Sequence, residues 1–90
     1  MYAFEVDALD RRDVRCPVQA KGRLRIGWGK WVDCDIRDIS NNGARLVVPD
    51  GVYLPRQLVL TSDLFEGKKT CTRRWESGGA AGVEFLEPLS

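Results

Sequence analysis

The sequence predicts an all-β domain, a small antiparallel barrel or sandwich, and three observations carry that expectation. Apolar residues alternate with a period of two, and the helical period of 3.6 is hard to find. The alternating runs are short and number about six. Each is separated from the next by Gly, Pro, Asn or Asp, so sequential runs should mostly pair as hairpins. With 90 residues the chain makes one domain with a modest core. Closing its sheet would remove edges that a chain this short can hardly afford to expose.

Taken in order, the first ten residues hold Tyr2, Phe4, Val6 and Leu9 but no readable period. "VQAKGRLRI" then sets Val18, Ala20, Gly22, Leu24 and Ile26 on one side and Gln19, Lys21, Arg23 and Arg25 on the other. "RIGWGKW" reads as a turn, with Trp28 and Trp31 as partly exposed packing residues beside it. "WVDCDIRDI" continues the alternation, with Val32, Cys34 and Ile36 facing one way. Asn41, Asn42 and Gly43 supply a turn in which left-handed backbone angles come easily, and "ARLVV" follows. Asp50-Gly51 and Pro55 break the chain before "QLVLT". "FEGKK" marks a further turn, leading to "TCTRRW" and, past Gly78-Gly79, to "AGVEFLE".

One residue breaks the pattern. In "CTRRW" a regular strand would set Arg73 on one face with Cys71 and Trp75, and an unpaired buried arginine is costly. Three solutions are open: the face leaves the core, a bulge turns it, or Arg73 meets an anion.

Composition narrows function. A net charge of +1 argues against an extended DNA or RNA binder. Basic residues do cluster between Arg11 and Lys30, and the outward Lys21, Arg23 and Arg25 read as a solvated strand face. The three cysteines, Cys16, Cys34 and Cys71, are odd in number and scattered, which fits free thiols in a reducing compartment. Cys34 and Cys71 read as small core residues. No histidine is present, so catalytic triads and the usual zinc sets lack their ligands, and no catalytic or metal centre is expected. No apolar run is long enough to insert in a membrane and no secretory pattern opens the chain, so the expected location is the cytoplasm.

Two short motifs point to a ligand. "RRDVR" sets Arg11 and Arg15 four residues apart with Arg12 between them, and Pro17 disfavours helix at Cys16. "DISNNG" sets Asp38, Ser40 and Gly43 in the turn between two strands. Read alone, the first is a solvated basic arm and the second a tight loop capped by local hydrogen bonds. Together, R-x-x-x-R followed some twenty residues later by D-x-S-x-x-G resembles the PilZ domain family, as do "GARLVV" and "CTRRWESGGAAGVEF". The resemblance covers nearly the whole chain. It implies a six-stranded antiparallel β-barrel, residues 17–87, preceded by a flexible N-terminal arm, 1–16, within a single domain spanning 1–90. It also implies a bacterial receptor for the second messenger cyclic di-GMP, without other cofactor and with a downstream protein partner.

The residue types suit that ligand. A guanine offers O6 and N7 to the planar fork of Arg11 or Arg15, and phosphates attract the same guanidiniums, Arg12 among them. An ionised Asp38 accepts from guanine N–H groups, Ser40 is a donor for a phosphate, and Gly43 lets backbone approach the ligand. For Trp75 two readings stand together, a stacking platform for a base and a core residue. The alternative for the whole chain is a PilZ-fold interaction module that binds no nucleotide. A barrel for single-stranded nucleic acid is the other, which the near-neutral charge disfavours.

Overall fold

The computed structural model describes residues 15–89. Six strands carry the fold: β1 Cys16–Gly27, β2 Lys30–Ile39, β3 Gly43–Val47, β4 Gln57–Ser62, β5 Lys69–Ser77 and β6 Ala80–Phe85. They close into an antiparallel barrel in the order β1-β2-β3-β6-β5-β4. Four of the six contacts join strands consecutive in sequence. The pairs β3–β6 and β1–β4 close the ring, so each sheet edge meets another.

The period-two residues face inward as expected. Leu24, Cys34, Ile36, Ala44, Leu46, Leu58, Leu60, Cys71, Ala81, Val83 and Phe85 are buried at the centre, with Val48 and Leu54 from the connecting loops. Burial of the two thiols pushes both Cys34 and Cys71 up to about 12. Cys16 is exposed, and all three cysteines are free.

The outer wall of β1 and β2 is a ladder of opposite charges. Lys21 lies opposite Asp35 with Nζ 2.7 Å from Oδ1, and Arg23 lies opposite Asp33 at 3.5 Å. The hydrogen bond between them raises the Lys21 ammonium and lowers the Asp35 carboxyl. Both groups are open to water, so such pairs specify register more than they add stability. The β1–β2 hairpin turns through Trp28 and Gly29, and Gly29 takes φ 63, the left-handed conformation a two-residue loop demands. Trp28, expected to pack in part, is instead fully exposed at this tip. Trp31 does pack, under the Arg23 guanidinium at 5.7 Å.

The bulge that was one of the three solutions open for Arg73 falls just after it, and turns Trp75, not Arg73, away from the face of Cys71. Arg73 pairs with Val83 but Trp75 pairs with Gly82, so Arg74 is an inserted residue. The bulge reverses the face: Cys71 points into the core, while Trp75 emerges on the outer wall. Arg73 is half-buried and donates from Nη1 to the carbonyl of Leu54, which meets the cost of its position. A second bulge lies in β2, where Ile36 pairs with Leu46 and Asp38 with Arg45, leaving Arg37 extra and exposed. After β6 the chain returns to the β2–β3 turn: Phe85 N donates to Asn42 O at 2.7 Å and Leu89 N to Asn41 O at 2.9 Å.

Candidate functional site

These two bulges, with a register shift in β1 between Pro17 and Ala20, set a single transverse row of residues on the outer wall. Pro17 pairs with Asp38, Asp38 with Arg45, Arg45 with Gly82, and Gly82 with Trp75. Directly paired residues point to the same side of a sheet. The row therefore crosses β1, β2, β3, β6 and β5 on one surface.

Asp38 is the centre of charge. Its Oδ1 lies 2.8 Å from Arg15 Nη1, in a hydrogen-bonded ion pair, and its Oδ2 lies 3.0 Å from Arg45 Nε. One carboxylate thus holds two guanidiniums, one on each oxygen. The Asp38 side chain is only 14% exposed, with a guanidinium against each carboxylate oxygen. The two arginines are themselves open, at 51% for Arg15 and 53% for Arg45. The cluster carries a net positive charge, with exposed Arg37 alongside in a shallow groove formed by Pro17, Val18, Gln19, Arg37 and Arg45. Such a surface suits an anion that offers acceptors to several fixed donors.

Ser40 and Gly43 act within the turn. Ser40 is buried, its hydroxyl accepts from Gly43 N at 3.2 Å, and its own N–H donates to Gly43 O at 2.8 Å. Gly43 does not adopt the left-handed backbone its place in the turn suggested. It is glycine for another reason: a Cβ there would stand 2.3 Å from the carbonyl oxygen of Val83 on β6. The D-x-S-x-x-G turn is thereby locked against the barrel, and Asp38 is held at a fixed height on the wall.

At the far end of the row Trp75 is 45% exposed, on the outer wall and not in the core. Its indole crosses the neighbouring strand: a Cβ built on Gly82 would lie 2.2 Å from Trp75 Nε1 and 2.6 Å from Cε2. Beside it Arg74 pairs with Glu84 at 3.2 Å. Arg11 and Arg12, predicted with Arg15 to hold a ligand, lie outside the described residues.

Of the described site residues, the structure brings Arg15 and Asp38 into contact and puts Trp75 on the same wall. Arg45 and Gly82 were missed by the sequence reading. A signal for Arg45 was available, since it is the outward residue of "GARLV" and a hairpin partner of the motif aspartate. Its register, however, depends on the bulge at Arg37, which no local pattern announces.

The fold and the row define a small β-barrel whose polar site lies on the outer wall and not in the interior. The PilZ domain model matches residues 9–90, and the chain belongs to the PilZ domain family. PilZ domains are in general non-enzymatic binding modules of the cyclic di-GMP type. No curated protein matches the chain.

Proposed function

We propose that the protein is a cyclic di-GMP receptor of bacterial second-messenger signalling, acting in the cytoplasm through a protein partner. The observation that carries this reading is the 2.8 Å contact between Arg15 and Asp38, which unites the ends of the two ligand motifs. A row of two guanidiniums, a carboxylate and an exposed indole supplies what a guanine dinucleotide requires. The arginines offer donors to phosphate oxygens and to guanine O6 and N7. The carboxylate accepts from guanine N–H groups, and the indole stacks on a base.

Ligand binding would be an exchange of partners. Asp38 turns to guanine N–H donors, and Arg15 turns to a phosphate or to the Hoogsteen edge of a base. Arg11 and Arg12 join Arg15 as the part of the arm ahead of Arg15 orders against the barrel. Ordering a segment costs binding energy but creates a surface that a partner can read. Ser40 and Gly43 keep the turn rigid through this exchange, so Asp38 is in place before the ligand arrives.

Isothermal titration calorimetry with cyclic di-GMP is the test. Saturable binding with loss of affinity in Asp38→Ala is the expected result. No heat at high micromolar ligand would end the proposal. The alternative, an interaction module indifferent to nucleotide, draws on the same ion pairs, because Asp38 is already satisfied by Arg15 and Arg45. It requires that a partner bind equally well with and without cyclic di-GMP.

A further inference from the structure

Asp38 and Trp75 stand in one row, and the two residues between them belong to neither ligand motif. We infer that Arg45 is a further recognition residue, reading the edge of a guanine stacked on Trp75, and that Gly82 positions the indole for that stack. This rests on the cyclic di-GMP reading above and names two residues that complete its site.

The geometry is set by register. Arg45 lies directly beside Gly82, and Gly82 directly beside Trp75. Neighbouring strands are about 4.8 Å apart, so the Arg45 and Trp75 backbones are separated by roughly 10 Å. The indole closes half of that gap by lying where the Gly82 side chain would be, with Nε1, Cε2 and Cδ1 all within 2.8 Å of a Cβ built there. Any side chain at position 82 would fill this space and push the indole off the wall. With glycine, the exposed ring sits one strand spacing from Arg45, and a purine on that ring presents its edge to the guanidinium.

Arg45 is prepared for that edge. Asp38 holds its Nε at 3.0 Å, which tethers the guanidinium to the row at one end. Among the described residues Asp38 is its one ion-pair partner and meets it at Nε, so that contact leaves the N–H donors of both Nη groups unused, on a side chain that is 53% exposed. Two parallel donors match O6 and N7 of guanine, whereas adenine presents an N–H2 donor in place of O6. The arrangement should therefore select guanine over adenine. Lysine would preserve the charge and the ion pair with Asp38 but not the fork.

The experiment is calorimetry of the full chain with cyclic di-GMP and cyclic di-AMP, alongside thermal melts of each protein. Arg45→Lys and Arg45→Ala should each lose roughly 10- to 100-fold in cyclic di-GMP affinity, and preference over cyclic di-AMP should shrink, with melting close to wild type. Wild-type affinity and selectivity in Arg45→Lys would reduce Arg45 to a counter-charge and overturn the inference. Gly82→Ala should lose as much affinity as Trp75→Ala, and adding it to Trp75→Ala should cost nothing more. If Gly82→Ala alone does not fold, the double variant decides, since the clash is gone. Affinity below that of Trp75→Ala, or failure to fold, would assign Gly82 to strand packing instead. A wild-type chain that ignores cyclic di-GMP would sink the underlying reading as well, whereas normal wild-type binding with indifferent Arg45 variants sinks this inference alone.

Discussion

Arg15 and Asp38 are 23 residues apart in the chain and 2.8 Å apart in space, the guanidinium resting on the carboxylate across the β1–β2 pair. The arginine just before β1 and the aspartate near the end of β2 meet because these two long strands pair antiparallel, with Pro17 opposite Asp38. Arg45, from β3, takes the second carboxylate oxygen at 3.0 Å. One carboxylate therefore ties the start of β1 to β3 across the outer wall.

Arg15→Ala and Asp38→Ala should separate binding from stability. Hydrogen bonds to charged groups are worth about 1.5–3 kcal/mol, so each variant should lose at least roughly tenfold in cyclic di-GMP affinity. Removing Arg15, half of which is exposed, should change unfolding free energy by no more than about 1 kcal/mol. Calorimetry and urea unfolding measure the two effects. A large loss of stability in Arg15→Ala would make the contact structural.

Gly43→Ala should damage the fold. The added methyl would stand 2.3 Å from Val83 O, a backbone atom that moves only if β6 moves. Overpacking of this kind costs about 1–3 kcal/mol. Ser40→Ala should also destabilise, since it leaves the Gly43 N–H without its hydroxyl partner in a buried turn, at about 1–3 kcal/mol. Denaturant midpoints for both variants check this, and midpoints equal to wild type would mean that the turn is not locked as described.

Trp75→Ala should be a binding variant. The indole is 45% exposed, lies over Gly82 and is not part of the buried core cluster, so the core survives its loss. Stacking of a base on an aromatic ring is worth about 1–3 kcal/mol, or roughly tenfold to a hundredfold in affinity. Near-normal melting with weakened cyclic di-GMP binding is the expected pair of results. Severe destabilisation would return Trp75 to the structural role that the sequence left open.

Two buried thiols should make the fold sensitive to alkali. Burial moves Cys34 and Cys71 from the ordinary value of 9.0 up to about 12, so folding favours the protonated thiol. Their contribution is complete below pH 9 and falls as pH rises from 9 toward about 12, because the unfolded chain gives up these protons first. Unfolding free energy should decline across that window, less steeply in Cys34→Ala and Cys71→Ala. A thiol reagent at neutral pH should modify Cys16 rapidly and the other two only on unfolding. Rapid labelling of all three in the native protein would contradict the packing.

Much of this protein was legible in its residue pattern because strands have a short, strict period. The inward faces of β1 and β2 follow directly from alternation, as do the core cysteines and the breaks at Gly, Pro and Asn. The β2–β3 turn was legible as a motif. Its internal chemistry was not: Ser40 and Gly43 serve the turn and the β6 contact, and only the approach of Val83 reveals why position 43 carries no side chain. Arg73 was recognised as an anomaly, yet a bulge at Arg74 was one of three possible answers.

The linear order of residues determined an all-β fold of about six short strands, free thiols and a pair of motifs suited to a guanine nucleotide. Tertiary structure alone decided which residues share the outer wall. Alternation is local, whereas cross-strand neighbours depend on register, and a single inserted residue turns every later side chain to the opposite face. The bulges at Arg37 and Arg74 do this in β2 and β5, bringing Asp38, Arg45, Gly82 and Trp75 into one line.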